Sequence, residues 1–324
     1  LGCINHVKFG GDIFSNCNLV SENSNYMPVY SFIVGNFAKV FSLNSMDAMF
    51  MFSNFLVVLN FLVMFFLFRK FISNDIICLF SSLLITSVSP ILKYTEFSRF
   101  IIAPLLIIVL VNFYKNQNYK NSILLGLVVG ISTLSHSVFL PISYLLLGGV
   151  FLYLCFRSKI NILKKNVLKL LPYISISFFI SICISLFYWF VPIVIKGNKT
   201  SENYFLWNGV GNLNNFYLQI DVFLEIFKAT FWNPSSVSSI VISILFALSI
   251  IWFILDKKKT KSENFLFWNL CLVFILIFSY FVTVPLFGIS FLPDYLYLLI
   301  GYLFILVISI VYFEKLINFI FKKY

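Results

Sequence analysis

NSILLGLVVGISTLSHSVFLPISYLLLGGVFLYLCF, residues 121–156, is the stretch on which the architecture turns. Lys120 precedes it and Arg157 follows it. As one helix it is ~54 Å long at about 1.5 Å per residue, against roughly 30 Å of bilayer hydrocarbon. A single crossing also puts Lys120 and Arg157 on opposite sides of a membrane. A hairpin with its apex at Leu134-Ser135-His136-Ser137 keeps both cations on one side. The first arm is then only ~22 Å long by the same rise, which sets His136 below the outer surface, in a cavity.

The rest of the chain supports membrane spans around this hairpin. Its 324 residues are 60% hydrophobic and only 11% charged, with a mean hydropathy of +0.97. A water-soluble core of this length does not hide so much Phe, Ile and Leu, so lipid solvates it. Apolar runs of spanning length fall at 47–68, 76–92, 98–114, 121–135, 137–156, 170–195, 233–255, 265–287 and 291–313. The pieces from Arg69 to Asp75, Lys115 to Lys120, Arg157 to Lys169 and Asp256 to Glu263, and the tail from Glu314, hold 16 of the 23 Lys and Arg residues. Eight of the 12 acids fall on the other side. Cations beside spans stay in the cytoplasm, so the N-terminal segment is expected outside and the C-terminus inside, in a plasma or inner membrane. The net charge of +11 reads as topology and headgroup attraction. No basic stripe carries a nucleic-acid recognition motif.

The expected fold is all-α integral membrane, with about nine transmembrane helices and outer interfacial amphipathic helices. It divides into an outer first loop with an interfacial helix (1–46), spans one to six (47–195), an outer loop with an amphipathic helix (196–232), and spans seven to nine with the tail (233–324). In the first loop, Tyr30, Val34, Phe37 and Phe41 repeat at helical spacing; Phe216, Ile220, Phe223, Phe227 and Phe231 do so in the second. Such helices lie in the interface, apolar face down, either capping the bundle or admitting substrate. Most prolines sit near span ends, whereas Pro104 and Pro141 lie deeper and are expected to kink their helices. The chain opens at Leu1 on a polar outer segment, which calls for an upstream helix to carry it across.

Chemistry is sought on the outer face. Pro90-Ile-Leu-Lys93-Tyr94-Thr95-Glu96-Phe97-Ser98-Arg99 is the densest polar cluster between spans. On a helical turn Lys93, Glu96 and Arg99 share one face. That face either binds an anionic headgroup, with Glu96 orienting the cations, or is a solvated loop with one ion pair. His136 is a candidate because ionisable groups at membrane depth are costly; the alternative is a hydrogen-bonded structural histidine. Asp294 either caps the last span, favoured by the helix dipole, or meets substrate. The N-terminal segment offers His6, Lys8, Asp12 and Glu22, with Gly10-Gly11-Asp12 as a turn that presents one carboxylate. Cys3 and Cys17 share this segment and are candidates for a disulfide. Asn198-Lys199-Thr200 fits a glycosylation acceptor. No Walker loop, dinucleotide fingerprint, His-Glu-x-x-His or Gly-x-Ser-x-Gly occurs.

In layout the chain resembles the GT-C superfamily of multi-span glycosyltransferases. The likeness rests on the first loop with Asp12 and Tyr26-Met-Pro28-Val-Tyr30, and on Ser87-Val-Ser-Pro90 before Tyr94-Thr-Glu96. It continues in Gly126-Leu-Val-Val-Gly130-Ile-Ser-Thr-Leu-Ser-His136 and in Phe291-Leu-Pro293-Asp294-Tyr295. The family's acidic dyad after the first helix has no counterpart here, and Asp294 stands where a basic residue commonly follows the proline. The resemblance implies transfer of a sugar, hexosyl or mannosyl, from a polyprenyl-phosphate donor to a glycan or protein acceptor, with membrane lipids as surroundings. It implies Asp12, or an acid upstream of Leu1, as base, Lys93 and Arg99 on the phosphate with Glu96 orienting them or helping to hold a metal, and His136 as a further catalytic candidate. It further implies His6, Asp294 and Trp207 as substrate contacts, and a divalent cation (Mg or Mn) as the candidate cofactor. A flippase or polymerase of lipid-linked glycans, or a non-catalytic scaffold, shares several of these features.

Overall fold

A computed structural model describes residues 2–10, 29–86, 97–135, 139–157, 160–189, 237–256, 259–287 and 300–321. All the regular structure among the described residues is helical. The elements are α1 (Gly2–Lys8), α2 (Val29–Val40), α3 (Ser45–Arg69), α4 (Asp75–Thr86), a π turn (Ser98–Ile102) that runs into α5 (Ala103–Lys115), and α6 (Tyr119–Ser135). They continue with α7 (Phe139–Arg157), α8 (Ile160–Trp189), α9 (Val237–Leu255), α10 (Lys261–Phe287) and α11 (Tyr302–Phe321). The stretch 121–156 is described as helix over 121–135, in α6, and over 139–156, in α7. Its proposed apex residue, His136, lies outside the described residues.

Among the described residues, three helical stretches are long and apolar enough to cross a membrane: Ser45–Arg69, Leu168–Leu186 and Leu303–Phe321. The second has a mean hydropathy of 1.8, yet only 22% of its window is buried by protein. Apolar side chains left so bare need lipid around them. On α3, Phe55, Val58 and Phe66 are likewise exposed. The helices 75–86, 100–115, 119–134 and 244–255 are apolar but shorter.

Helix starts are set locally. Asn44 Oδ1 accepts the Asp47 N–H at 2.8 Å and begins α3. Asn74 Oδ1 does the same for Ile76 at 2.9 Å in α4, and Asn118 Oδ1 for Asn121 at 2.8 Å in α6. Thr260 and Glu263 form a reciprocal pair at the start of α10: the Thr260 N–H donates to Glu263 Oε2 at 3.1 Å, and the Glu263 N–H to Thr260 Oγ1 at 3.2 Å. Each cap supplies an acceptor to an N–H that the helix itself leaves orphaned. Between α2 and α3, Ser42 takes φ 53° while the Leu43 N–H reaches back to the Ala38 carbonyl at 2.9 Å. This left-handed stop ends α2 cleanly.

The chain forms two compact units. The first comprises residues 1–67, 82–145 and 160–202. Its tightest described pair is α6 on α8. A Cβ placed at Gly126 would stand 2.7 Å from the Ser177 carbonyl, and one at Gly130 would stand 2.7 Å from Ile184 Cβ. Across from these glycines, α8 buries Ser177, Ser181 and Ser185 at four-residue spacing. Without a hydrophobic force between helices in lipid, such small-residue faces let backbones approach and gain dispersion contacts. The Tyr144 hydroxyl of α7 adds hydrogen bonds to Ser181 at 2.9 Å and Ser177 at 3.3 Å. Gly126→Val is therefore expected to cost ~2 kcal/mol or more through overpacking, read as a lower denaturation midpoint in SDS titration. Gly148→Ala meets its nearest atom, in Leu272, only at 3.8 Å and serves as the neutral control.

The second unit comprises residues 68–81, 146–159 and 203–324. Its core runs along α11, where Leu303, Phe304, Ile305, Leu306, Val307 and Ile308 are all buried. A helix apolar all round is a central one. Phe253 of α9 stacks on Phe267 of α10 with ring centroids 3.9 Å apart, and meets Tyr312 of α11 edge-on at 6.3 Å.

Several expectations shift. Hydropathy ends the last span before Glu314, but α11 runs through Glu314 and Lys315 to Phe321. The piece Arg157–Lys169 was read as a loop; α7 includes Arg157, and α8 already begins at Ile160. Charged residues interrupt a hydropathy run without interrupting the backbone ladder. Pro141 lies in the first turn of α7, where its missing N–H has no intrahelical acceptor to lose, so it starts that helix instead of kinking it. Pro104 sits at the start of α5, directly after the π turn. In α2 the buried stripe is Tyr30, Val34 and Ala38, while Phe41 lies beyond the helix and is exposed. That stripe faces protein and not an interface.

Candidate functional site

Within the first unit, several elements that carry or border candidate residues pack on one another. α1 packs on α2, with Val7 and Ile4 against Gly35. The Ser45 hydroxyl at the start of α3 donates to Asn5 Oδ1 of α1. The Tyr30 ring of α2 lies 5.9 Å from the Phe97 ring and 6.4 Å from that of Phe52. Phe97 is buried and leads directly into the π turn Ser98–Ile102. Only Asn116, Gln117 and Asn118 separate α5 from α6, so the two helices run antiparallel and pack together. The π turn at the start of α5 therefore stands beside the Ser135 end of α6, which it also contacts. A π turn within a helix re-aims its side chains and recurs at functional sites.

The backbone thus gathers α1, which carries His6, the π turn, which carries Arg99, and the end of α6 that leads to His136. Asp12, Lys93, Glu96, His136, Trp207 and Asp294 themselves lie outside the described residues. So do Cys17 of the candidate disulfide, Asn198, and the amphipathic stretch 216–231. Among the described residues, no three His, Cys, Asp or Glu side chains gather to hold a metal ion. No step below is routed through one.

The second unit holds a polar hub that the sequence reading missed. Glu314 is buried, and its Oε1 accepts the Ser73 N–H at 2.9 Å, the Asn74 N–H at 2.8 Å and the Ser73 hydroxyl at 2.7 Å. Its neighbour Lys315 donates to Asp256 Oδ2 at 2.6 Å and pairs with Glu263 Oε1 at 2.9 Å. Adjacent residues on one helix so tie down two turns, 70–74 and 256–260. Both turns and residue 314 were assigned to the same membrane side from charge alone. The local signal for part of the hub was present: Thr260-x-x-Glu263 before an apolar run is a capping box. The partners of Glu314 lie some 240 residues away in sequence, and no local pattern announces them.

No protein-family model matches this chain, and no significant match is found among the curated proteins or the solved structures.

Proposed function

We propose that this chain is a polytopic membrane glycosyltransferase of GT-C type. In this reading it has nine crossings and an outward-facing site, and moves a sugar from a polyprenyl-phosphate donor to an acceptor. The observation that carries the reading is the meeting of α1, α2, the π turn with Arg99 and the Ser135 end of α6 in one body. The described residues that border two loops assigned to the outer face by hydropathy, 97–99 and 134–135, lie at one end of the α5–α6 pair.

The chemistry asked of this end is modest. A lipid-linked donor sets its phosphate at the membrane boundary. Arg99, in a rigid guanidinium fork, takes the phosphate oxygens of the departing group, and Lys93 adds a point charge. A carboxylate beside the acceptor hydroxyl, assigned to Asp12, takes its proton as the glycosidic bond forms. Glu96 orients the two cations, and His136 joins Asp12 as a catalytic candidate below the outer surface. The test is reconstitution of the full-length protein with polyprenyl-phosphate sugars. Transfer confined to the extracytoplasmic face supports the reading. Binding or translocation of the lipid-linked sugar with no transfer contradicts it.

A further inference from the structure

We propose that the groove between α9 and α11 holds an acyl chain of an anionic phospholipid, with its phosphate beside Lys259 and Lys261. The groove encloses about 200 Å³ and is walled by Leu245, Leu248, Trp252 and Leu255 of α9, with Phe313 and Leu316 of α11. A dry apolar cavity of about 150 Å³ suffices for a benzene ring, so this one takes a length of hydrocarbon chain. The Ser249 hydroxyl, which also lines it, is turned to the Leu245 carbonyl at 2.5 Å and offers a guest little polarity. Leu248 and Leu255 are 49% and 72% exposed, so one side stands open to the surroundings of α11, itself long and apolar enough to cross a membrane.

Charge settles which lipid. The wall from Leu245 to Leu255 spans ~15 Å at about 1.5 Å per residue and ends at the turn that reads Asp256-Lys-Lys-Lys259-Thr-Lys261. Lys315 pairs with Asp256 and Glu263, and the stretch from Asp256 to Glu263 still carries four lysines against these two acids. Lys259 Nζ instead lies 3.8 Å from the centre of the Phe253 ring, and Phe253 abuts Tyr312 in the groove wall. Lys261 is exposed at the start of α10. An apolar slot whose α9 wall ends at a net positive turn complements a fatty chain that ends in a phosphate. The inference is separate from the transferase reading and concerns the other unit.

Trp252, in the groove wall, reports on its occupant. In a full-length variant with Trp189, Trp207, Trp232 and Trp268 replaced by Phe, brominated-chain phosphatidylglycerol should quench Trp252 roughly tenfold more effectively than brominated-chain phosphatidylcholine. K259Q/K261Q should bring the two lipids level. Native mass spectrometry of the unmodified protein should retain phosphatidylglycerol over phosphatidylcholine and lose that preference in the same double variant. Equal quenching by both lipids in the parent overturns the proposal, as does a preference that survives K259Q/K261Q. Absence of quenching by either lipid overturns it as well, because the groove is then closed by protein, such as a second copy of the chain.

Discussion

Asp12→Asn is expected to lower sugar transfer by the reconstituted protein at least ~100-fold, since a positioned general base contributes about 10²–10⁴ in rate. The amide keeps the size and loses the proton-accepting charge, so the loss should fall on kcat with little change in donor KM. Glu96→Gln should act differently. If Glu96 orients Lys93 and Arg99, its loss frees two cations that must hold the phosphate in both ground and transition states. Donor KM should then rise while kcat falls, with a combined effect of roughly tenfold to 100-fold. Wild-type transfer in both variants removes these residues from the mechanism. Loss in Glu96→Gln alone, with Asp12→Asn unaffected, would keep the phosphate site and dismiss the base.

The second large effect is on stability. Glu314→Ala is expected to destabilise the second unit by ~3 kcal/mol. Hydrogen bonds to a charged group contribute about 1.5–3 kcal/mol each but do not add, and removing one member of a buried polar network costs roughly 3–5 kcal/mol. The substitution strands the Ser73 and Asn74 N–H groups, which Glu314 Oε1 now receives at 2.9 and 2.8 Å. Glu314→Gln retains an acceptor oxygen of the same reach and should lose about half as much. SDS-titration unfolding of the purified protein measures both. A change below ~0.5 kcal/mol in Glu314→Ala would mean that water already serves these groups and that the hub is incidental.

The elements were legible in the sequence because helix length and apolar run length have the same cause. Each of the nine apolar runs coincides, at least in part, with a described helix. Ends were less legible. Glu314 and Lys315 look like the start of an aqueous tail, since a charge in a hydrophobic run ordinarily marks the boundary. Their partners come from turns far away in the chain, and only the folded arrangement makes their place within α11 affordable. The stripe of α2 shows the same limit. Phe37 and Phe41 dominate any count of apolar spacing, yet small Ala38 is the buried member because α2 packs closely on its neighbours.

Gly126 and Gly130 carry a similar lesson for the site. The resemblance placed them in a glycine-rich helix that leads to His136; their contacts are with Ser177, Ile180 and Ile184 of α8. In the proposed site they act at one remove, by fixing the helix that precedes His136 in the chain. Arg99 was singled out as a charge in a loop. Its place in a π turn beside Phe97 and the end of α6 is a property of backbone pitch, which charge and hydropathy do not encode.

Side-specific labelling tests the central claim most directly. In a cysteine-free background, single cysteines at positions 12, 96 and 136 should react with an impermeant maleimide added outside sealed cells, while cysteines at 120 and 259 should react only after permeabilisation. Labelling of 120 and 259 from outside, with 12, 96 and 136 protected until the membrane is opened, would invert the topology and remove the outward-facing site.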